Sequence, residues 1–284
     1  MDTTSLGSWN DGAAKRAIVD LVTSAAVEGS PGFVAPMGRV AVFGNDGTLW
    51  VEKPTPVQRA FVRGKPAARL EADPSPARER PYRAIVDRDE SCFRALNEQD
   101  PDAVASMAEA VGSAWEGTTL ARYLTSWRHE RFGVPYSGLV HQPVLELFDH
   151  LRAYGRRLFV CSSGGRDFMR VIREDTWGLP GEDVIGPAPE FAHRDGAPVR
   201  RATPHGPVAL GPGKPEDVLA RTGRLPAFAA GNDDVVREYA YTECAERARA
   251  TAERSGWTTV DVKDDWNVVL EERLTQEEPS APHQ

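Results

Sequence analysis

The chain has 284 residues, enough for one large domain or for a core domain that carries an insertion. Lys and Arg number 34 against 42 Asp and Glu, and the net charge of −8 excludes the basic field that nucleic acids and anionic membranes require. No apolar run is long enough to span a membrane, and residues 1–12 lack the pattern of a secretory signal. Three widely spaced cysteines fit a reducing compartment. The sequence predicts a soluble, cytoplasmic protein that acts on a small molecule, and it leaves the oligomeric state open.

The first predicted elements are a helix and a buried strand. Apolar residues recur at helical spacing over residues 13–27, and Asn10 or Asp11 lies where a helix cap is expected. The β-branched and aromatic run at residues 40–43 predicts a strand, which ends in a tight turn at residues 44–47. We expect chemistry first at this turn, because polar residues directly follow a buried strand there.

Residues 54–135 differ from the rest of the chain. Their periodicity is helical, their polarity is higher, and prolines interrupt them. Helices are predicted at about 83–97, 102–111 and 118–132. We interpret this stretch as an inserted helical cap on a core formed by residues 1–53 and 136–270. The acidic, proline-containing tail at residues 271–284 is predicted to be disordered.

Strand and helix signals alternate again after residue 135. A predicted helix at about 143–154 ends near Gly155, and a strand at 157–161 leads into a Ser-Ser-Gly-Gly turn before the next helix. This order of strand, small-residue turn and helix is typical of a phosphate cradle. Further elements are a hairpin around Asp195-Gly196 flanked by residues 184–185 and 198–200, a helix beginning near Lys214, a strand at 225–230 and a last strand at 257–262.

Three predicted strands end in polar residues and are separated by helices, which predicts an α/β fold with a doubly wound parallel sheet. The candidate site residues at the carboxyl edge of this sheet are Asp46, Ser162, Ser163, Lys214, Asp233 and Asp234. Turn amides and a hydroxyl suit the oxygens of a phosphate or carboxylate, a lysine suits its charge, and carboxylates suit a hard cation or proton transfer. Each residue alone fits an ordinary turn, loop or surface role, but their recurrence at one edge favours a site.

These motifs resemble those of the haloacid dehalogenase superfamily, in its phosphatase-like branch with a helical cap inserted after the first motif. Residues 43–50 resemble the first motif, 160–165 the second, Lys214 the third and 231–234 the fourth, in the order of the family. The resemblance implies a Rossmann-like core and a first motif of the form Asp-x-Asp-Gly-Thr. The leading Asp of that motif attacks phosphorus, and the second Asp is the general acid and base. The resemblance also implies Mg²⁺ held by the leading Asp, a backbone carbonyl and acids of the fourth motif.

The resemblance assigns roles to residues of this chain. Asp46 matches the general acid/base, Ser162 the phosphate-binding hydroxyl and Lys214 the lysine that offsets developing charge, so these three are the predicted catalytic residues. The residues predicted to bind substrate are Asn45, Thr48, Ser162, Ser163, Gly164 and Lys214. The remaining candidates for metal ligands are Asp46, Asp233 and Asp234.

The sequence departs from the family pattern at two positions. Gly44 stands where the nucleophilic Asp belongs, and glycine has no side chain to attack phosphorus or to bind a metal. A further acid of the fourth motif would fall near Val236. We therefore expect either no cofactor or weakly bound Mg²⁺.

Three functions are compatible with this pattern. The one we favour is a divergent hydrolase-family enzyme that has lost the aspartyl-phosphate nucleophile and uses Asp46 as general acid/base on a small anionic metabolite, phosphorylated or carboxylated. The alternatives are a residual Mg²⁺-dependent phosphomonoesterase and a catalytically silent pseudophosphatase that binds a phosphorylated ligand. An aspartate that faces a phosphate without a metal is repelled by it, which weighs against the silent protein. An engineered loss of the nucleophile would also explain Gly44, and the sequence leaves it open.

Overall fold

The structure is a computed structural model that describes residues 6–54, 56–78, 82–87, 89, 91, 117–162, 164–194, 196–205, 213–232, 252–253 and 256–270. Its strands are β1 (Val40–Phe43), β2 (Arg157–Cys161), β3 (Val184–Ile185), β4 (Ala188–Arg194), β5 (Ala197–His205) and β6 (Phe228–Ala230). Its α-helices are α1 (Ala13–Ala26), α2 (Val57–Ala72), α3 (Tyr82–Val86), α4 (Gly117–Ser126), α5 (Gln142–Ala153), α6 (Arg166–Trp177), α7 (Gly213–Thr222) and α8 (Val262–Asp265). Short 3₁₀ segments lie at Pro36–Gly38, Ser75–Arg78, Tyr136–Leu139 and Gly181–Asp183.

Four of the strands form one parallel sheet in the order β3-β2-β1-β6. Ala41 of β1 lies opposite Leu158 of β2 on one side and Phe228 of β6 on the other. The chain moves outward from β1 through β2 to β3 and then returns to place β6 on the other side of β1. This reversal places a topological switch point at the carboxyl ends of β1 and β6, which is where α/β proteins usually bind ligands. The predicted α/β fold with a doubly wound parallel sheet is confirmed.

The two faces of the sheet bury different side chains because neighbouring residues of a strand point to opposite sides. On one face, Val42 and Cys161 pack with Val218 of α7. On the other face, Phe43 packs in the larger core cluster, and its ring centroid lies 4.7 Å from that of Phe148 in α5. Helices therefore cover both faces, and Cys161 is a buried core cysteine, as the alternation of the strand predicts.

Helices also occupy the region predicted as an insertion. Phe61 of α2 and Leu120 of α4 are fully buried in the same cluster as Phe168 of α6, and the Phe61 and Phe168 ring centroids are 6.1 Å apart. The sequence did not predict α2, because this helix contains Gly64 and Pro66, and glycine and proline usually interrupt helices. The division of the chain into a core and a cap at residues 54–135 stays a prediction.

The predicted helix at 83–97 is interrupted, because α3 ends at Val86 and Asp87 and Asp89 are not helical; Ser91 is helical again, and residues 92–97 lie outside the described residues. Helix α4 is shorter than predicted and ends at Ser126 rather than near residue 132. The predicted helix at 102–111 and the predicted disordered tail at 271–284 lie outside the described residues.

A buried histidine closes the loop that follows α4. The Nδ1 atom of His129 accepts hydrogen bonds from the backbone N–H groups of Arg131 (3.1 Å) and Phe132 (3.2 Å). The proton of the ring therefore lies on Nε2, which donates to the carbonyl oxygen of Lys53 at 2.7 Å. The imidazole of His129 thus joins Lys53, before α2, to the loop after α4. In a longer α4, the N–H groups of Arg131 and Phe132 would donate to backbone carbonyl oxygens, whereas here they donate to the imidazole.

The predicted cap of the first helix is wrong. Helix α1 begins after Gly12, whose backbone occupies the N-cap without a side-chain hydrogen bond. The side chain of Asn10 instead donates to the carbonyl oxygen of Asp264 at 2.7 Å, and Asp11 pairs with Lys15 at 3.0 Å. Asn10 therefore contacts a residue near the end of the described chain, and Asp11, which precedes α1, forms an ion pair with Lys15 of that helix.

The predicted hairpin is correct at its turn and wrong at one flank. Strands β4 and β5 pair antiparallel around Gly196, whose φ of +81° suits glycine. Residues 184–185 belong instead to the main sheet, where Val184 lies opposite Val160 in parallel pairing. A two-residue apolar run carries no signal that separates the two kinds of pairing.

The predicted last strand at 257–262 is also wrong. Residues 257–261 form no strand, and Val262 begins α8, where the Asp261 side chain accepts the N–H of Lys263 at 3.0 Å as a helix cap. Trp257 and Val260 stay exposed. Their β-branched and aromatic composition favours a strand, but none of these residues pairs with the sheet in the described part of the chain. In the part of the chain that the structure describes, no helix has the length and hydropathy to cross a bilayer.

Candidate functional site

The turn after β1 is held by its own backbone. The carbonyl oxygen of Asn45 accepts the N–H groups of Thr48 (3.2 Å) and Leu49 (2.8 Å), and the N–H of Gly47 donates to the carbonyl oxygen of Trp50 (3.1 Å). Gly47 has a φ of +71°, a conformation that costs other residues energy. The Asp-Gly pair that the sequence singled out is therefore the corner of a closed turn.

This turn is joined to the end of β6. The N–H of Asn232 donates to the hydroxyl oxygen of Thr48 at 2.9 Å. A methyl group at Gly47 would overlap the side-chain nitrogen of Asn232 and lie 2.9 Å from the carboxyl carbon of Glu52. The two sides of the topological switch point are therefore in direct contact, and Thr48 acts here as a structural tie.

An indole orients the carboxylate of Asp46. The Nε1 of Trp50 donates to Asp46 Oδ1 at 2.8 Å, and Trp50 is 1% exposed. The indole packs edge-on to Tyr136, with ring centroids 5.6 Å apart, and at 5.4 Å from Trp177. Because an indole N–H can only donate, this contact positions Asp46 Oδ1 as its acceptor. The sequence gave no signal for this contact, since four-residue spacing inside a turn is not a recognised pattern.

Ser162 lies on the neighbouring strand end. It directly follows β2 and is 4% exposed, and its N–H donates to the carbonyl oxygen of Ile185 at 3.1 Å. Its Oγ accepts the N–H of Gly164 at 3.0 Å. Ser163 lies outside the described residues. The predicted order of strand, small-residue turn and helix is present, with Gly165 as the N-cap of α6.

A residue from the helical region reaches this turn. The side-chain oxygen Oε1 of Gln58, in α2, accepts the N–H of Gly165 at 3.0 Å. A methyl group at Gly164 would lie 2.5 Å from the same oxygen, so only glycine allows this approach. The amides at the N-terminus of α6 thus face neutral oxygen acceptors. The sequence gave no signal for Gln58, because the contact joins residues 107 positions apart.

Lys214 lies in the first turn of α7 and is 4% exposed. Helix α7 packs through Val218 against Ile185 of β3. Surface exposure is the usual state of a lysine, so this burial sets Lys214 apart from an ordinary solvated cation. Lys214 is therefore not a solvated surface cation, and its role in catalysis and substrate binding stays a prediction.

The described residues do not by themselves form a magnesium site. Asp233 and Asp234 lie outside them. Within them, no three His, Cys, Asp or Glu side chains come together as metal ligands. The oxygen donors at the end of β1 are the Asp46 carboxylate and the buried Oδ1 of Asn45, which has no hydrogen-bond partner in the described part of the chain. Mg²⁺ prefers anionic oxygens in octahedral geometry, and Gly44 supplies none.

His141 supports the turn from below. It is buried, and its Nδ1 donates to the carbonyl oxygen of Thr48 at 2.9 Å. Burial lowers the pKa of His141 from its usual 6.5, and the hydrogen bond to Thr48 opposes this only in part. Burial also lowers the pKa of His150. The neutral imidazole is therefore the form that holds the turn.

The close contact at Gly47 predicts a large effect of Gly47→Ala. The positive φ alone should cost about 1–2 kcal/mol in free energy of unfolding, and the overlap with Asn232 should add about 1–3 kcal/mol. Gly223→Ala is the matched control, because Gly223 has a φ of +72° with nothing within 4 Å of the added methyl. Urea unfolding of both variants measures the difference, and equal losses would show that the β1–β6 contact is not tight.

Stability should fall as the pH drops below 6.5. The pKa of His141 is lower in the folded protein than in the unfolded chain. Between these two pKa values the unfolded chain binds more protons, so the stability from neutral His141 is fully present above pH 6.5 and is lost as the pH falls towards the folded-state pKa. Each unit of lowering corresponds to about 1.4 kcal/mol in free energy of unfolding. Denaturant unfolding above and below this pH should show that the free energy of unfolding depends less on pH in His141→Gln than in wild type. His193→Gln, at an exposed histidine, should leave the dependence unchanged, and an unchanged slope in His141→Gln would contradict the prediction.

No protein-family model and no curated protein matches the chain. Among solved structures, a protein with unknown function from Bordetella pertussis Tohama I is similar, with a TM-score of 0.51 and 16% identity over 79% of this chain and 98% of that one. A phosphoserine phosphohydrolase-like protein from Francisella tularensis subsp. tularensis SCHU S4 has a TM-score of 0.41 and 14% identity over 78% of this chain and 84% of that one. Cytosolic 5'-nucleotidase IIIB bound to cytidine has a TM-score of 0.39 and 13% identity over 75% and 68%. The first similarity shows a shared α/β fold, and nothing about fold or activity follows from the two lower scores.

Proposed function

We propose that the chain is a haloacid-dehalogenase-like enzyme of the hydrolase class that uses Asp46 as general acid/base on a small anionic metabolite. The observation that carries the proposal is the Trp50–Asp46 hydrogen bond of 2.8 Å at the topological switch point of the sheet. Proton transfer requires a carboxylate held in a fixed position, and a buried indole supplies that restraint. The proposed partner is a small molecule, with neither a nucleic acid nor a membrane.

The neighbouring turn supports binding of an anion. The N–H groups of Gly164 and Gly165 point to oxygen atoms of Ser162 and Gln58 at 3.0 Å each, at the N-terminus of α6. A phosphate or carboxylate oxygen is a stronger acceptor for such amides than a hydroxyl or an amide oxygen. In this proposal the substrate oxygens replace Ser162 Oγ at the Gly164 amide and Gln58 Oε1 at the Gly165 amide, and buried Lys214 offsets their charge.

The glycine at position 44 determines which route is proposed. The N–H of Gly44 continues the ladder to β6 by donating to the carbonyl oxygen of Ala230 at 2.9 Å. The backbone thus keeps the strand end in place while the attacking carboxylate is missing. Asp46 would then accept a proton from the reacting group or from water and return it to the leaving group, with no covalent aspartyl-phosphate.

Asp46→Asn should lower turnover by about 10²–10⁴-fold, because the amide cannot exchange the proton. The substrate is first found by incubating the full chain with small-molecule extracts and identifying the compound that changes. Binding of that compound should hold or improve in Asp46→Asn, since one negative charge is removed. The matched control is Asp149→Asn at an exposed helical carboxylate.

Two outcomes would contradict the proposal. A phosphorylated compound that binds and is recovered unchanged would identify a silent pseudophosphatase. Turnover that survives Asp46→Asn at the wild-type rate would remove Asp46 from the chemistry.

The wild-type chain should hydrolyse p-nitrophenyl phosphate very slowly with Mg²⁺, and Gly44→Asp should increase that rate. The reason is that the variant restores the carboxylate of the family's first motif. Initial rates with and without Mg²⁺ measure the effect. Rapid Mg²⁺-dependent hydrolysis by the wild-type chain would instead establish a residual phosphomonoesterase.

A further inference from the structure

Three arginines precede three adjacent strands at the amino edge of the sheet, opposite the candidate site. Arg39 comes directly before β1, Arg156 directly before β2, and Arg224 lies in the loop that leads to β6. The strand starts are side by side, since the N–H of Arg157 donates to the carbonyl oxygen of Arg39 at 2.9 Å. We call Arg39, Arg156 and Arg224 the arginine cluster.

Arg156 is the unusual member of the arginine cluster. Its side chain is 4% exposed, and none of its three guanidinium nitrogens has a hydrogen-bond partner among the residues that the structure describes. The guanidinium carbon lies 5.9 Å from the ring centroid of Phe228. Proteins rarely bury a cation without a partner, because the charge loses its hydration and gains nothing in return.

The described residues around Arg156 provide no negative charge to compensate its own. Arg39 donates to the backbone carbonyl oxygens of Val34 (2.8 Å), Tyr154 (3.4 Å) and Ala26 (3.4 Å), all of them neutral. Burial lowers the pKa of Arg156, and the charge of Arg39 lowers it further. Within the described residues, no carboxylate forms an ion pair with any of the three arginines. The chain as a whole carries a net charge of −8, so this local excess of positive charge is not a general property of its surface.

We propose that Arg156, supported by Arg39, forms a binding site for a small oxyanion such as phosphate, at the edge of the sheet opposite the candidate active site. The N–H groups of a guanidinium lie in one plane and match two oxygens of one anion, and in Arg156 none of these groups is used by a described residue. Because the guanidinium nitrogens of Arg156 are buried, we expect a small ion rather than a polymer to reach them. This site is independent of the proposed function.

The probe is inorganic phosphate, added to the full chain at constant ionic strength and followed by thermal unfolding and by calorimetry. Wild type should gain stability with saturation, and sulfate should act like phosphate whereas chloride should not. In Arg156→Met, phosphate should bind about tenfold or more weakly, because the bidentate donor is lost. Methionine is flexible and apolar, and the buried position should accept it.

Two controls separate this site from others. Ser162→Ala alters the candidate active site at the opposite edge and should leave the Arg156-dependent phosphate effect in place. Arg128→Met removes an equal charge from an exposed position and should leave the stabilisation by phosphate unchanged. Loss of the phosphate effect in Ser162→Ala, with no loss in Arg156→Met, would overturn the arginine site and leave the proposed function standing.

The absence of any phosphate effect in wild type would also overturn the proposal. In that case Arg156→Met should simply be more stable than wild type in every buffer, as expected when an uncompensated buried cation is removed. If Arg156→Met does not fold, Arg156→Lys replaces it, because lysine keeps the charge and loses the planar fork. An unchanged phosphate affinity in Arg156→Lys would then count against bidentate binding.

Discussion

The carboxyl edge of the sheet depends on the two oxygens of Thr48. The hydroxyl oxygen accepts the N–H of Asn232 at the end of β6, and the carbonyl oxygen accepts the imidazole N–H of His141 at the start of α5. The turn after the central strand is therefore fixed from two sides by elements that are distant in sequence. Asp46 lies within this turn, so its position relative to both neighbouring strand ends follows from these two hydrogen bonds together with the indole of Trp50.

At position 44 the fold and the chemistry have different requirements. A strand end needs only backbone groups to stay in the ladder, and the Gly44 N–H meets that need by bonding to Ala230. Catalysis by covalent attack needs a side chain at the same position. A chain can thus lose the attacking group without losing the turn, provided that Thr48 and Gly47 keep their contacts. The geometry around Asp46 therefore does not depend on a side chain at position 44.

The sequence predicts the elements whose signals are local and misses contacts between distant residues. The central strands at Val40–Phe43 and Arg157–Cys161 follow from short β-branched and aromatic runs that end in small polar residues. The run at 257–262 has the same composition and forms no strand, because composition does not report whether a neighbouring edge exists. The positions of Asp46 and Ser162 at adjacent strand ends were predictable from spacing. Gln58 was not, since its bond to Gly165 joins a helix to a turn far along the chain.

His129 gives the helical region after β1 a particular relation to the sheet. Its imidazole holds the carbonyl of Lys53 against the loop that follows α4, so the chain just before α2 and the chain just after α4 are joined at one point. The entropy of closing a loop changes only slowly with its length once its ends are fixed. An exposed loop between these two ends can therefore change length at little entropic cost, whereas Phe61 and Leu120 are fixed in place, because they are buried in the same cluster as Phe168.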